Sequence, residues 1–292
     1  MEYNNKPLTL SIVIPAYNEE RYIKKCLDSI KKQTIMPDEV ILVDNNCTDR
    51  TIDIASKYDF VHIVTESKQG MANARNKGFS VAHSDIIGRI DVDAQLTPTW
   101  VEVVLKTFRN PSVAAITGPG VTSTTPIIRG RQIFPSLRTA IWSKLYLLIS
   151  SSVMRLTVLW GANMAIRKST WDLVKESVCS DDKLVHEDQD ISILIAGKGL
   201  RSVVVPGLDI RTDGTTYFFW PKFKEYFLRS FKTIDYHKKL GTLDNPEAIR
   251  ISTVQSVFVI SLSLIPAIFF IIASFLFFYI PEQFLKIDRL FR

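Results

Sequence analysis

Short apolar segments rich in Ile and Val alternate with amphipathic segments along the N-terminal third of the chain. Segments 8–14, 39–43, 60–65 and 86–90 have the length and β-branched content of buried strands. Segments 19–33, 50–57 and 71–82 have helical patterns, the first with Asn18 as its expected N-cap. This order requires a mostly parallel sheet with right-handed crossovers. We therefore predict a doubly wound α/β fold.

Polar side chains follow three of these strands at the points where they end. They are Tyr17 to Glu19, Asp44 with Asn45, and Asp91 with Asp93. The carboxyl ends of parallel strands share one edge of a sheet, so we expect these groups to line one crevice. Two carboxylates one residue apart suit Mg²⁺ or Mn²⁺, which prefers carboxylate and phosphate oxygens. The alternative for Asp91 and Asp93 is a turn that caps the helix predicted at 98–108.

Composition and short motifs exclude several classes of site. The first strand is followed by Pro15 and Ala16 rather than a Gly-rich G-x-G-x-x-G turn, which argues against dinucleotide binding. The formal charge is +6, but no dense basic patch interleaved with aromatics appears, so nucleic acid is a poor partner. The three cysteines are far apart and form no C-x-x-C, which argues against disulfides and zinc and favours a reducing compartment.

Further elements follow along the chain. Segment 113–118 reads as a strand, and segment 137–156 as a helix that lies either in a membrane interface or in the core. Glu187 and Asp188 fall in the first turn of a helix that ends near Gly197, where the helix dipole alone accounts for acids. Segment 201–205 completes the predicted sheet.

Five motifs together resemble the family 2 glycosyltransferases of GT-A fold. They are Ser11 to Glu20 (SIVIPAYNEE), Val43 with Asp44, Asp91 to Asp93, Gly161 to Asn163, and Glu187 with Asp188. They occur in the family's order, and the resemblance covers residues 8–205. It implies an inverting transferase that uses a nucleoside-diphosphate sugar and a divalent cation, Mn²⁺ or Mg²⁺.

The resemblance also implies roles for individual residues. The donor would be contacted by Pro15, Tyr17, Glu19, Asp44, Arg75 and Asp91, and the metal would be bound by Asp93 and Asp91. The acceptor would be contacted by Trp160, Gly161, Ala162 and Asn163. Asp188 would be the general base, with Glu187 beside it. The chemistry of these groups agrees, since a carboxylate accepts hydrogen bonds from a base N–H and an arginine neutralises phosphate. Taken singly, Glu19, Asp44 and Arg75 are equally well explained by local structure.

The C-terminal third has a different character. Segment 220–239 predicts a basic, aromatic helix suited to anionic lipid headgroups or diphosphate, or simply a solvated amphipathic face. Segment 251–281 carries no charge and predicts membrane insertion, as one tilted span or as a hairpin bent at Pro266. We therefore expect a catalytic domain at 1–210, a basic connector at 211–250, and a membrane segment with a short tail at 251–292.

The predicted activity is sugar transfer to a hydroxyl group of a glycan or a lipid-linked glycan, with the catalytic domain on the cytoplasmic face of a membrane whose lipids are a further partner. One rival acceptor is a polyprenyl phosphate, whose anionic oxygen needs no base. Another rival is a non-catalytic sugar-nucleotide adaptor on the same fold. A sugar-nucleotide pyrophosphorylase is excluded because its Gly-rich, Arg-containing N-terminal loop is missing.

Overall fold

A computed structural model describes residues 7–122, 127–128, 131–132, 156–212 and 220–243. The strands are β1 (Leu10–Ala16), β2 (Glu39–Asp44), β3 (Val61–Thr65), β4 (Ile86–Ile90), β5 (Gln95–Leu96), β6 (Val113–Thr117), β7 (Gly120–Thr122), β8 (Ile127–Ile128), β9 (Arg131–Gln132), β10 (Asn163–Arg167), β11 (Arg201–Val204) and β12 (Ile210–Thr212). The helices are α1 (Ile23–Lys31), α2 (Thr51–Ala55), α3 (Met71–Val81), α4 (Trp100–Phe108), α5 (Lys168–Val174), α6 (Glu187–Gly197) and α7 (Trp220–Lys239).

The central element is a seven-stranded sheet in the order β11-β6-β10-β4-β1-β2-β3. All neighbouring strands in it pair in parallel except β10, which is antiparallel to both β4 and β6. A smaller sheet in the order β5-β12-β7 lies beside it in the fold. The predicted α/β architecture with a mostly parallel sheet is confirmed.

Alternate residues of β1 enter two separate cores. Ile12 and Ile14 pack in one cluster with apolar side chains of α1 and α4, whereas Val13 packs in the other with side chains of α3, α5 and α6. This follows from the two-residue period of a strand, which sends successive side chains to opposite faces. Helices thus cover both faces of the sheet, and β1 is buried along its whole length.

The reversed direction of β10 positions the loop that precedes it. Asn163, the first residue of β10, pairs with Ile90, the last residue of β4. The loop at 160–162 therefore enters the sheet at the same edge where the parallel strands end. Asp91, Asp44 and residues 160–162 consequently share one edge of the sheet.

The start of α1 differs from the prediction. Asn18 has a left-handed φ of 55° and does not cap the helix, which begins at Ile23. Its Oδ1 instead accepts the backbone N–H of Thr48 at 2.7 Å and that of Asp49 at 3.3 Å. Asn tolerates this backbone conformation, so it ties the loop after β1 to the loop after β2.

The segments at 137–155 and 251–281 lie outside the described residues, and the predictions made for them stay predictions. Across the part of the chain that the structure does describe, none of the helices has both the length and the apolar character needed to cross a membrane.

Candidate active site

Arg89, the penultimate residue of β4, joins three carboxylates at the edge of the sheet. One guanidinium nitrogen donates to Asp188 Oδ1 at 3.0 Å, and the other donates to Glu187 Oε1 at 3.0 Å and to Asp91 Oδ1 at 3.3 Å. The Arg89 side chain is only 2% exposed. It therefore links the strand that carries Asp91 to the helix that carries the Glu187–Asp188 pair. Arg89 is not among the predicted site residues, although an arginine inside an apolar strand is the signal that could have identified it.

Gly161 holds the second oxygen of Asp188. Its backbone N–H donates to Asp188 Oδ2 at 2.8 Å, so both oxygens of this carboxylate are fixed by N–H donors. A Cβ at position 161 would overlap Asp188 Oδ1 and the Arg89 guanidinium. Only glycine fits here, because the backbone approaches the ion pair too closely for any side chain.

Arg75 lies behind the acids rather than at the surface of the crevice. It is fully buried, and its Nη1 donates to the backbone carbonyl of Glu187 at 2.8 Å. Its Nε and Nη2 donate to Asn76 Oδ1 at 3.0 and 2.9 Å. This placement differs from the expected donor contact, since the guanidinium is used to support the first turn of α6.

The two acids Glu187 and Asp188 differ widely in pKa. Burial, reinforced by the charge of Glu187, raises the pKa of Asp188 to about 8 against the opposing effect of Arg89. Burial alone would also raise the pKa of Glu187, but the positive charges of Arg89, His186 and Arg75, together with a hydrogen bond to Asp188, outweigh it and lower that pKa to about 2. A carboxyl group with a pKa near the working pH is suited to proton transfer, and Asp188 is that group.

Three acids lie together on the donor side of the crevice. Burial, together with the negative charges of Asp93 and Asp91, raises the pKa of Glu19 to about 7. Within the described ranges, no group of three His, Cys, Asp or Glu side chains is arranged to hold a metal alone. Mg²⁺ commonly binds through one or two carboxylates together with substrate phosphates. The all-oxygen donor set of Asp91 and Asp93 therefore fits a divalent cation that a diphosphate would help to bind.

The other expected donor residues lie at the ends of β1 and β2. Tyr17 is 51% exposed, which leaves its ring open to stacking. Pro15 is buried and pairs in register with Val43, one residue before Asp44. The Oδ1 of Asp44 accepts the N–H of Cys47 at 2.9 Å.

The four expected acceptor residues have different environments. Asn163 is fully buried, and its side chain accepts from Trp100 Nε1 at 2.8 Å and donates to the carbonyls of Pro119 and Leu208. Its side chain therefore anchors the loop inside the protein and does not face the crevice. Gly161 and Ala162 are buried as well, whereas Trp160 is partly exposed. Trp160 is thus the one of these four residues whose side chain is partly open to solvent.

Solved structures with the same architecture include a mannosyltransferase and the protein TarS. The mannosyltransferase PcManGT of Pyrobaculum calidifontis, solved with GDP-Man and Mn²⁺, matches with a TM-score of 0.60 at 19% identity, over 97% of this chain and 84% of that one. TarS residues 1–349 of S. aureus, solved with UDP, match with a TM-score of 0.52 at 18% identity, over 70% of this chain and 60% of that one. At these identities the likeness establishes the GT-A fold.

Curated proteins with similar sequences are also glycosyltransferases. A hyaluronan synthase of Pasteurella multocida is 38% identical over 109 residues, which are 36% of this chain and 11% of that protein. The glycosyltransferase GlyG of Streptococcus pneumoniae is 31% identical over 114 residues, which are 37% of this chain and 38% of that protein. The match thus spans well under half of either relative.

A family model gives the most extensive sequence match. The model of glycosyl transferase family 2 matches residues 11–169, a range that contains the donor-side acids, Arg89 and Gly161. This range is more than half of the chain. The chain therefore belongs to glycosyl transferase family 2.

Proposed function

We propose that the protein transfers a sugar, with inversion, from a nucleoside-diphosphate sugar to a hydroxyl group of a glycan or lipid-linked glycan at the cytoplasmic face of a membrane. The observation that carries this proposal is the placement of Asp188. It is held by Arg89 and Gly161 at the same sheet edge as Asp91, with a pKa raised to about 8. A base in this position is required by a hydroxyl acceptor, which must lose its proton as it attacks.

Each residue of the site has a distinct task in this proposal. Asp188 accepts the proton of the acceptor hydroxyl, and Arg89 and Gly161 keep its two oxygens in place. Asp91 and Asp93 would hold the divalent cation, which when bound neutralises charge on the departing diphosphate. Tyr17 and Asp44 bind the nucleoside, with the tyrosine ring stacked on the base. Attack from the side opposite the leaving group inverts the anomeric centre.

The donor class is supported by the structural neighbours. PcManGT was solved with GDP-Man and Mn²⁺, and TarS with UDP. The same sheet edge in this chain carries oxygen ligands suited to Mn²⁺ or Mg²⁺. We infer that the donor here is a nucleoside-diphosphate sugar and that its binding needs the cation.

Donor binding should depend on the cation and on Asp93. We expect at least one sugar nucleotide from a panel of UDP-, GDP- and dTDP-sugars to raise the melting temperature of the wild type when Mn²⁺ is present. Asp93→Asn should abolish that rise, because the carboxylates and the diphosphate repel each other unless a cation lies between them. The matched control is Asp53→Asn, which changes an exposed aspartate on α2. Equal stabilisation of the wild type in Mn²⁺ and in EDTA would contradict the proposal.

Transfer should become faster as the pH rises. Only the carboxylate form of Asp188 accepts a proton, and its raised pKa keeps it largely protonated below about 8. We expect kcat/KM for the acceptor to increase with pH and to level off above about pH 8, measured with Mg²⁺ at saturating donor. A profile that is flat or falls between about pH 6 and about pH 9 would exclude Asp188 as the titrating base.

Membrane attachment is expected to run through the uncharged segment 251–281. The full chain should float with lipid vesicles in a density gradient, whereas Ile260→Arg with Phe269→Arg should not, since a charge in the hydrocarbon core costs about 2.5–3.5 kcal/mol. Labelling a cysteine placed at Arg292 distinguishes the two topologies, because a hairpin leaves both ends cytoplasmic. Recovery of the wild type in the aqueous fraction without detergent would refute attachment.

A further inference from the structure

Helix α7 forms hydrogen bonds with the residues on either side of the Glu187–Asp188 pair in α6. The contacts are His237 Nε2 to Asp190 Oδ1 at 2.9 Å, Gln189 Nε2 to Ser230 Oγ at 2.8 Å, and the backbone N–H of His186 to Thr233 Oγ1 at 2.7 Å. On α7 these residues are spaced three and four apart, so they lie on one face of the helix. Their partners are the N-cap residue His186 and the residues three and four positions after it, Gln189 and Asp190. One face of α7 is therefore matched to the first turn of the acid-bearing helix.

The contact between His237 and Asp190 is completely buried. Both side chains are 0% exposed, and the second oxygen of Asp190 accepts the N–H of Cys179 at 3.0 Å. Because a carboxylate only accepts hydrogen bonds, the Nε2 of His237 carries the proton that joins them. Asp190 is thus held from two sides, by the loop before α6 and by α7.

Polar groups at such a position do more than add stability. A buried pair of this kind is often no more stabilising than apolar residues of the same size, because desolvation offsets the attraction. Unlike apolar packing, however, its hydrogen bonds are directional and fix which residues of the two helices face each other. The His186 side chain makes no capping hydrogen bond, and Thr233 accepts its backbone N–H instead. The orientation of the first turn of α6 is consequently fixed by α7 as well as by Arg75 and Arg89.

We propose that α7 is the element that positions the catalytic acids, and that His237 is the positioning residue through which it does so. His237 touches neither Glu187 nor Asp188; it acts through Asp190, two residues beyond Asp188 in the same helical turn. The inference rests on the proposed role of Asp188 as base. Its consequence is that the rate of transfer depends on a helix that follows the catalytic sheet in the chain.

The test compares four variants of the full chain with the wild type. His237→Ala removes the donor to Asp190, His237→Gln keeps an N–H donor at the same reach, and Thr233→Val removes the acceptor for His186 N–H. Asp235→Asn is the control on the exposed face of α7. The measurements are kcat at saturating donor, the Kd of UDP and of GDP with Mn²⁺ by calorimetry, and hydrogen exchange of the amides at 186–197.

We expect His237→Ala to lower kcat by about tenfold or more, since small misplacements of reacting groups cost up to about a hundredfold. Nucleotide Kd should stay within about threefold, because the hydrogen bonds of His237 and Asp190 join α7, α6 and the loop at Cys179, and the donor-side acids take no part in them. Amides at the start of α6 should exchange faster in His237→Ala and Thr233→Val. His237→Gln should recover most of the wild-type kcat, and Asp235→Asn should match the wild type.

The possible failures are separable. Absence of transfer by the wild type with every donor tested would reject the proposed function, while the exchange data would still report on the positioning of α6. If the wild type is active and His237→Ala keeps its kcat, the positioning role is overturned. Equal losses of kcat in His237→Ala and His237→Gln, or a parallel loss of nucleotide affinity, would overturn it as well. Should His237→Ala fail to fold, His237→Gln and Thr233→Val still decide between these results.

Discussion

Replacing Asp188 by asparagine should lower kcat by about 10²–10⁴-fold, the usual contribution of a general base. The amide keeps the size of the side chain and one oxygen acceptor, but it cannot take the proton of an attacking hydroxyl. Donor and cation binding should be nearly unchanged, because Asp188 lies beyond Arg89 from the donor-side acids. The measurements are steady-state kinetics together with the melting temperature in the presence of donor and Mn²⁺.

The control for Asp188→Asn is Glu176→Gln, which alters an exposed acid in the short 3-10 turn Lys175–Ser177. In the wild type, the product of an α-linked donor should be β-linked, as inversion requires. Turnover near the wild-type level in Asp188→Asn would show that no base is needed. The acceptor would then be an anionic oxygen, and the polyprenyl-phosphate alternative would replace the hydroxyl acceptor.

Replacing Arg89 by methionine should destabilise the protein by about 3–5 kcal/mol, the usual cost of removing one partner from a buried ion pair. Methionine fills a similar volume without charge, so the carboxylates of Glu187 and Asp188 would lose their shared buried donor. Transfer should fall strongly, since Asp188 then keeps only the Gly161 N–H of its two N–H donors. Denaturant unfolding gives the stability, and the transfer assay gives the activity.

Two further variants distinguish the effect of Arg89 on stability, through its charge, from its effect on activity, through the placement of Asp188. Arg89→Met combined with Glu187→Gln should recover part of the stability, because one unpaired charge is removed, but none of the activity. Arg109→Met, which alters an exposed arginine just after α4, should leave both unchanged. An Arg89→Met variant as stable as the wild type would mean that the acids are held without the guanidinium.

The parallel half of the sheet was predictable because each of its strands carries a local signal. β4 occupies the predicted residues, and α3 and α6 end within one residue of the predicted positions. The direction of β10 was not predictable in this way. The apolar pattern of a strand is the same whether it runs parallel or antiparallel to its neighbours. Only the pairing of β10 with β4 and β6 shows that it is reversed. The helix start at Ile23 was missed because Asn18 carries a capping side chain that the fold uses to bind another loop.

The motifs indicated a candidate site but did not reveal how its residues are held together. Asp91 and Asp188 are far apart in sequence, and their connection through Arg89 exists only once β4 and α6 are adjacent. The buried hydrogen bonds of Arg75 and Asn163 to backbone carbonyls also form only when the fold brings distant segments together. A motif indicates that an arginine or an asparagine is present, but burial in the finished fold decides whether it faces a ligand or a backbone carbonyl.

The reversal of β10 also decides which part of such a protein can be exchanged. Because β6 ends and β10 begins at the same edge of the sheet, the intervening segment 118–162 leaves and returns on the side of the crevice. A relative's segment grafted between Thr117 and Asn163 would therefore leave the strand order of the sheet intact. Chimeras made at these two junctions would test whether this segment selects the acceptor, while the proposed nucleotide-binding residues at the ends of β1 and β2 are retained.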